Sequence, residues 1–203
     1  RMRLAEAYEI RRPRAVRRTF AKDGTIKILF EADGQGRFEA VVMPGRGKED
    51  GVTACLSSQA GCRFGCAYCA TATLGLIRNL TPGEILSSYR ILLGERPIDR
   101  IVFMGMGEPL DNLDNVLAAL DRLTSEEGFG LSRQRITVST IGLVPGIDRL
   151  ASAGPGVRLA LSLSAGDDET RAKTMPVARK YSLAQIVAAG VRYHEKANAR
   201  VTA

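Results

Sequence analysis

From Val52 onward the apolar residues switch repeatedly between two periods, and that switch restricts the fold more than any other feature of the chain. Strand-like runs at residues 53–57, 100–104, 135–140 and 157–162 are separated by stretches with helical spacing. Thr81-Pro-Gly-Glu84 is a capping box with proline at the first helical position, followed by Ile85, Leu86, Tyr89, Leu92 and Leu93. Leu113, Val116, Leu117, Leu120 and Leu123 recur at the same spacing. Ser182-Leu-Ala-Gln185 opens a further helix, with Leu183, Ile186, Val187 and Val191 on one face. Alternation of this kind gives parallel strands joined by right-handed crossovers. The expected fold class is therefore α/β, an unfinished barrel, with residues 200–203 as the start of a fifth strand.

Upstream the pattern differs. Residues 25–30 and 37–43 read as two strands joined by the turn residues Asp33-Gly34-Gln35-Gly36, a β-hairpin. The polar, Gly-rich stretch 44–51 has no period of its own and sets a boundary. Residues 1–48 are expected to form a basic arm plus hairpin, and residues 49–203 the barrel core. Lys and Arg number 29 against 22 Asp and Glu, a net charge of +7. Seven arginines fall within residues 1–20 against Glu6 and Glu9, so most of the excess sits in the arm. Arginines so clustered suit phosphate contacts; a solvated terminus accounts for them equally well. Hydrophobic residues at 45% and charged residues at 25% exclude a disordered or collagen-like chain. No run approaches the roughly 18 apolar residues of a membrane span. The charged start of the chain shows no signal peptide, and the reading is a cytoplasmic protein.

In α/β barrels the working residues lie on the loops after the C-terminal ends of the strands. Here each strand runs into an unusual segment: the cysteine stretch, Gly105-Met-Gly-Glu-Pro109, Ser139-Thr140 and Ser162-Leu-Ser164. Cys62-Arg-Phe-Gly-Cys66-Ala-Tyr-Cys69 places three thiols on one short loop. In a cytoplasmic chain such a cluster favours metal or redox chemistry over structural disulfides. Three thiolates suit three irons of a cubane cluster and leave the fourth iron open. Zinc, with Cys55 as fourth ligand, is the competing possibility, although the paired knuckles of structural zinc sites are missing. Gly61 and Gly65 give the loop freedom to wrap a bulky inorganic core. Gly-Glu-Pro by itself is also a common strand-ending turn. Cys55 by itself also reads as a small buried hydrophobe, and Glu39 as a solvated carboxylate on the hairpin.

The spacing C-x3-C-x-aromatic-C, with Tyr68 as the aromatic, resembles the signature of radical S-adenosylmethionine (SAM) enzymes. Further blocks narrow the resemblance. Leu56-Ser-Ser-Gln-Ala-Gly-Cys62, Thr71-Ala-Thr-Leu-Gly75, Arg78-Asn79-Leu80, Met104-Gly-Met-Gly-Glu-Pro109, Gly128-Phe-Gly-Leu-Ser132 and Val138-Ser-Thr140 together resemble the RlmN/Cfr family of RNA adenine methyltransferases, more closely its RlmN branch. The match runs from about Glu9 to Ala203.

The resemblance implies a partial, open, TIM-like radical SAM barrel. It implies a [4Fe-4S] cluster on Cys62, Cys66 and Cys69. SAM would chelate the open iron and, on receiving one electron, yield a deoxyadenosyl radical, chemistry that no side chain supplies. Gly107 and Glu108 are expected along the amino group of SAM, and Ser139, Ser162, Leu163 and Ser164 at the family's other SAM contacts; many relatives carry histidine where this chain has Ser164. Cys55 matches the cysteine that resolves a protein–RNA adduct through a transient disulfide. Glu39 matches a glutamate proposed as proton acceptor. The activity implied is methylation of adenine carbon 2 in 23S rRNA and tRNA, with carbon 8, a different radical SAM reaction, or a zinc-binding RNA module as alternatives. Implied partners are those RNAs and an electron donor such as flavodoxin with its reductase, the protein acting as a monomer. One departure matters: no cysteine follows Cys69, so the methyl-carrying cysteine of the family is missing, and the chain reads as a fragment. His194, the only histidine, reads as a surface residue. Arg171, Lys173, Arg179 and Lys180 are read as either RNA contacts or a solvated basic face.

Overall fold

Two kinds of strand pairing meet in one sheet. The computed structural model describes residues 12–32, 36–45, 47 and 51–203. β1 (Arg14–Phe20), β2 (Ile26–Glu31), β3 (Arg37–Met43) and β4 (Thr53–Cys55) pair antiparallel in sequence order. The hairpin expected from the period-2 runs is β2–β3; its turn residues 33–35 lie outside the described residues, as do residues 1–11 and the proposed boundary at 48–49. From β4 onward pairing is parallel, through β7 (Arg100–Phe103), β8 (Ile136–Thr140), β9 (Arg158–Leu161) and β10 (Val201–Thr202). The result is a single eight-stranded sheet that continues from the hairpin into the barrel strands. The fifth parallel strand is present as two paired residues.

The crossovers are α1 (Pro82–Glu95), α2 (Leu113–Thr124), α3 (Val144–Ala153), α4 (Asp168–Thr174) and α5 (Leu183–Ala197). Both capping boxes read from the sequence form: Thr81 with Glu84, and Ser182 with Gln185. Each satisfies two backbone donors that the first helical turn would leave unpaired.

Alternation along the strands separates two faces. Ala54, Ile101, Phe103, Ile136, Val138, Leu159 and Leu161 are buried against the helices, with Tyr89, Leu120, Leu150 and Tyr193 among the residues opposite. Each such Ile, Leu, Val or Phe side chain contributes about 1.5–3 kcal/mol by leaving water. The other face is only half covered. It carries Val41, Cys55, Val102 and Thr137 in register across β3, β4, β7 and β8, and Ser139 one pleat further along.

Three features depart from the sequence reading. The arginine-rich arm is, from Arg14, an edge strand. Arg14 and Arg18 are engaged by Glu31 at 3.1 Å and Glu95 at 2.8 Å, which leaves less of the arm free for phosphates. The first barrel strand ends at Cys55 rather than at residue 57. Beyond it β5 (Gln59–Gly61) and β6 (Leu76–Asn79) form a separate antiparallel ribbon, with the cysteine stretch as its connection. Among the described residues no helix is long and apolar enough to cross a membrane.

Candidate active site

The ribbon sets the position of the thiols. The Cys62 N–H donates to the Gly75 carbonyl at 2.8 Å, closing the loop at its base. Gly61 has φ +77°, and a Cβ there would lie 1.9 Å from that same carbonyl oxygen. Its lack of a side chain therefore serves the closure of the ribbon. At the far side of the loop Cys66 is buried with Met175 and Val177, and Phe64 packs against them.

The second element is the turn after β7. Gly107 has φ +93°, and a Cβ would meet the Gln59 side chain at 2.4 Å. Glu108 is 3% exposed. Its carboxylate accepts from the Leu110 N–H at 3.1 Å and the Ile141 N–H at 3.0 Å, joining the loops after β7 and β8. Burial pushes its pKa up to about 7, against the lowering effect of the Ile141 N–H, the Thr140 hydroxyl and the Leu110 N–H. One of the carboxylate's roughly four lone-pair positions remains for a ligand.

The third element is the pair of strand ends. The Ser139 and Ser162 hydroxyls lie 3.3 Å apart. Ser164 adopts φ 62°, and its hydroxyl lies 2.9 Å from that of Tyr68.

These elements enclose a cavity of about 290 Å³ at the C-terminal ends of the parallel strands. Cys62, Cys66, Cys69, Tyr68, Gly107, Glu108, Ser139 and Ser162 all line it. Leu163 and Ser164 do not: Leu163 packs on the main core, and Ser164 reaches the site through Tyr68. Cys55 and Glu39 also lie outside it. Cys55 is on the half-covered sheet face, where burial raises its thiol pKa and the Met104 backbone opposes the rise. Glu39 is bound by Lys27 at 3.0 Å. All four cysteines are free thiols, so no disulfide accompanies the role expected of Cys55.

Among the described residues no three His, Cys, Asp or Glu side chains gather as a single metal ion requires. The three thiols instead ring a cavity, and burial raises the pKa of both Cys62 and Cys66. A tetrahedral zinc with bonds of about 2.3 Å would need a tighter set. The donors present fit a polynuclear group with thiolate ligands better than one ion.

A profile for the Radical SAM superfamily matches residues 56–202. The chain belongs to the radical SAM superfamily. It is 48% identical over 182 residues to the probable dual-specificity RNA methyltransferase RlmN 1 of Opitutus terrae, covering 87% of this chain and 51% of that protein. It is 47% identical over 187 residues to the probable dual-specificity RNA methyltransferase RlmN of Thermus thermophilus, covering 90% and 52%. The chain thus spans about half the length of the curated relatives it matches. A solved radical SAM methyltransferase from Sphaerobacter thermophilus superposes with a TM-score of 0.87 at 39% identity, over 98% of this chain and 60% of that one.

Within this radical SAM fold, a polar pin under the cavity explains blocks whose chemistry the sequence left open. Fully buried Gln59 donates to Asn79 and Asp111, each at 2.8 Å, and accepts from the Glu108 N–H at 2.9 Å. Asn112 donates to the Ser58 and Leu80 carbonyls at 2.7 and 2.8 Å. The Ser57 hydroxyl takes the Met106 N–H at 2.8 Å and donates to the Glu39 carbonyl at 2.5 Å. Bonds between residues as far apart as Ser58 and Asn112 hold the base of the cysteine ribbon to the Gly-Glu-Pro turn. Nothing in the sequence signals these roles beyond the family blocks that contain them.

Proposed function

We propose that this chain is the cluster- and SAM-binding half of an RNA adenine methyltransferase of RlmN type. Cys62, Cys66 and Cys69 would hold a [4Fe-4S] cluster. Gly107 and Glu108 would take the ammonium of SAM, and Ser139, Ser162 and the 162–164 backbone its other polar groups. The observation that carries the reading is the single cavity where three thiols meet a buried carboxylate and two hydroxyls. Cluster and SAM together supply the one-electron chemistry that side chains lack. The protein's part is to present ligands, to hold Glu108 between two backbone donors, and to keep water from the carboxylate. Glu39 and Cys55 would act on the half-covered face of the sheet rather than in this cavity.

The names and 45–48% identities of the relatives support an RNA substrate; the sequence blocks that resemble the RlmN branch imply adenine carbon 2 of 23S rRNA and of tRNA as the target. A flavodoxin-type protein would deliver the electron, and the working form would be a monomer. Residues 49–203 would act as the core, with the hairpin as an accessory element.

These 203 residues hold no methyl-carrying cysteine, so the test is SAM cleavage rather than methyl transfer. Anaerobic reconstitution with iron and sulfide should give a brown protein with about four irons per chain. With dithionite it should release 5′-deoxyadenosine from SAM, and Glu108→Gln should weaken SAM binding. A colourless, zinc-loaded protein that ignores SAM would end the proposal.

A further inference from the structure

Arg171 has no accessible surface, although the sequence places it in a run of cations suited to solvent or RNA. Its guanidinium is held by backbone oxygens alone. Nε donates to the Leu163 carbonyl at 2.9 Å, one terminal nitrogen to the Ile141 carbonyl at 2.6 Å, and the other to the Tyr181 carbonyl at 3.3 Å. No carboxylate forms an ion pair with it among the described residues. Among the described residues, two of its five N–H donors take no protein acceptor.

Burying an unpaired cation is costly unless nearby charge or dipoles compensate it. The three carbonyls supply part of that compensation. Desolvation lowers the pKa of Arg171, while the negative forms of Asp168, Tyr68 and Cys66, in that order, act to raise it. Arginine remains charged under such conditions, which a lysine would not necessarily do.

The place of this cation is what gives it a consequence. Ile141 carries the N–H that holds Glu108, and Leu163 lies between the two serines after β9. One guanidinium therefore ties the loops after β8 and β9 to Tyr181, beyond α4. The α4 segment in turn backs the cysteine loop. The Thr174 carbonyl accepts from the Ala67 N–H at 2.8 Å, and Met175 and Val177 pack on Cys66.

We propose that Arg171 is a positioning residue that braces the loops of the cavity and sets its electrostatic potential, so that a cluster on Cys62, Cys66 and Cys69 accepts an electron more readily than it otherwise would. The inference rests on the cluster assignment above. Its physical basis is that reduction adds negative charge beside a buried cation with no ion-pair partner, in surroundings that screen poorly. Net charge and burial are among the recognised levers on cluster potential.

The test is a redox titration of the reconstituted chain, followed by the spectroscopic signal of the reduced cluster. Arg171→Gln removes the charge and should shift the midpoint to more negative potential. A tenfold loss in the reduction constant reads as 59 mV for one electron. Arg171→Lys, titrated at mildly acidic pH so that the buried ammonium stays charged, has poorer hydrogen bonding and should stay near wild type. Asp168→Asn removes the carboxylate closest in effect to Arg171, and should leave the midpoint above wild type. Asp168 lies on the exposed side of α4 and caps the Leu183 N–H at 2.7 Å, a bond an asparagine oxygen can still accept.

If Arg171→Gln fails to fold or to load, the other two variants decide. Asp168→Asn shifted upward, with Arg171→Lys unmoved, upholds the proposal. Arg171→Gln or Asp168→Asn at the wild-type midpoint overturns it, as does Arg171→Lys shifted as far as Arg171→Gln. A wild-type chain that takes up no cluster removes the parent assignment and this inference with it, and is recognised because it fails before any variant is compared.

Discussion

Raising the pH from 5 to 8 should cost this protein about 2.5 kcal/mol of folding stability through one side chain, Glu108. The carboxyl is enclosed between the loops after β7 and β8, and burial pushes its pKa from 4.5 to about 7. The unfolded chain loses this proton near pH 4.5, while the folded chain retains it until about pH 7. Between those values the native state binds more protons, so stability falls as pH rises. Above pH 7 the accumulated loss levels off at about 3 kcal/mol. The carboxylates whose pKa is lowered, Glu84 and Glu31 among them, titrate below this window and leave the slope alone. Urea denaturation of the apoprotein at unit steps between pH 5 and 8 measures the effect. Glu108→Gln is the reference. Its amide has a single acceptor oxygen, so one of the Leu110 and Ile141 N–H groups loses its partner and the variant starts less stable, but without the slope. Wild-type stability that stays flat or rises across the window relative to Glu108→Gln would refute the reasoning. The same proton links to ligand binding. An ammonium beside Glu108 favours the ionised form, so SAM affinity should rise about tenfold per pH unit until the carboxyl is ionised.

Other substitutions probe the scaffold and the thiols. Gly107→Ala puts a Cβ against Gln59 at a left-handed φ and should cost more than about 2 kcal/mol in denaturant melts; unchanged stability would mean the turn relaxes freely. Gln59→Leu leaves the Asn79 side-chain oxygen and the Glu108 N–H without this partner, while Asp111 keeps Arg63 at 2.9 Å, and should cost about 2–4 kcal/mol, together with weaker SAM binding measured by calorimetry. Cys66→Ser should abolish the brown colour on reconstitution, while Cys55→Ser should load iron like wild type, as iron assay of the two proteins will show.

What the sequence made legible was whatever depends on near neighbours. The helices α1 and α5 start where capping boxes place them, because each box is closed by residues three apart. The hairpin β2–β3 and the parallel strands follow from periods of two and from apolar runs. The cysteine loop is legible because its ligands lie within eight residues. The features that escaped depend on partners far along the chain. Gln59 is an unremarkable polar residue until Asn79, Asp111 and Glu108 arrive around it. Arg171 sits between three acidic residues and Lys173, a charged stretch that locally suits solvent, and only the carbonyls of Ile141, Leu163 and Tyr181 make its burial tolerable. β5 and β6 are three and four residues long, and Gln-Ala-Gly lacks the β-branched side chains that advertise a strand. β1 was hidden by its arginines, although charge on an edge strand is what discourages pairing with another chain.

The sheet register also decides how Glu39 and Cys55 relate to one another. Cys55 sits opposite Val41, and Glu39 lies two residues further along β3 on the same face. Diagonal neighbours of this kind are about 7–8 Å apart, within reach of a long side chain or one bridging water. Burial favours the protonated form of Cys55, and a thiol must lose its proton before it can attack a sulfur. The resolving role proposed for Cys55 would therefore need a proton acceptor on that face, and Glu39 is a carboxylate that the register supplies. Lys27 holds this carboxylate on the same sheet face, so any movement of Glu39 toward Cys55 must first break an ion pair between half-exposed groups. Such pairs are worth about 1 kcal/mol or less, which makes the rearrangement inexpensive. In the roles proposed for them the two residues would thus work together outside the thiol-lined cavity, where their side chains do not compete for the space that a cluster and SAM would fill.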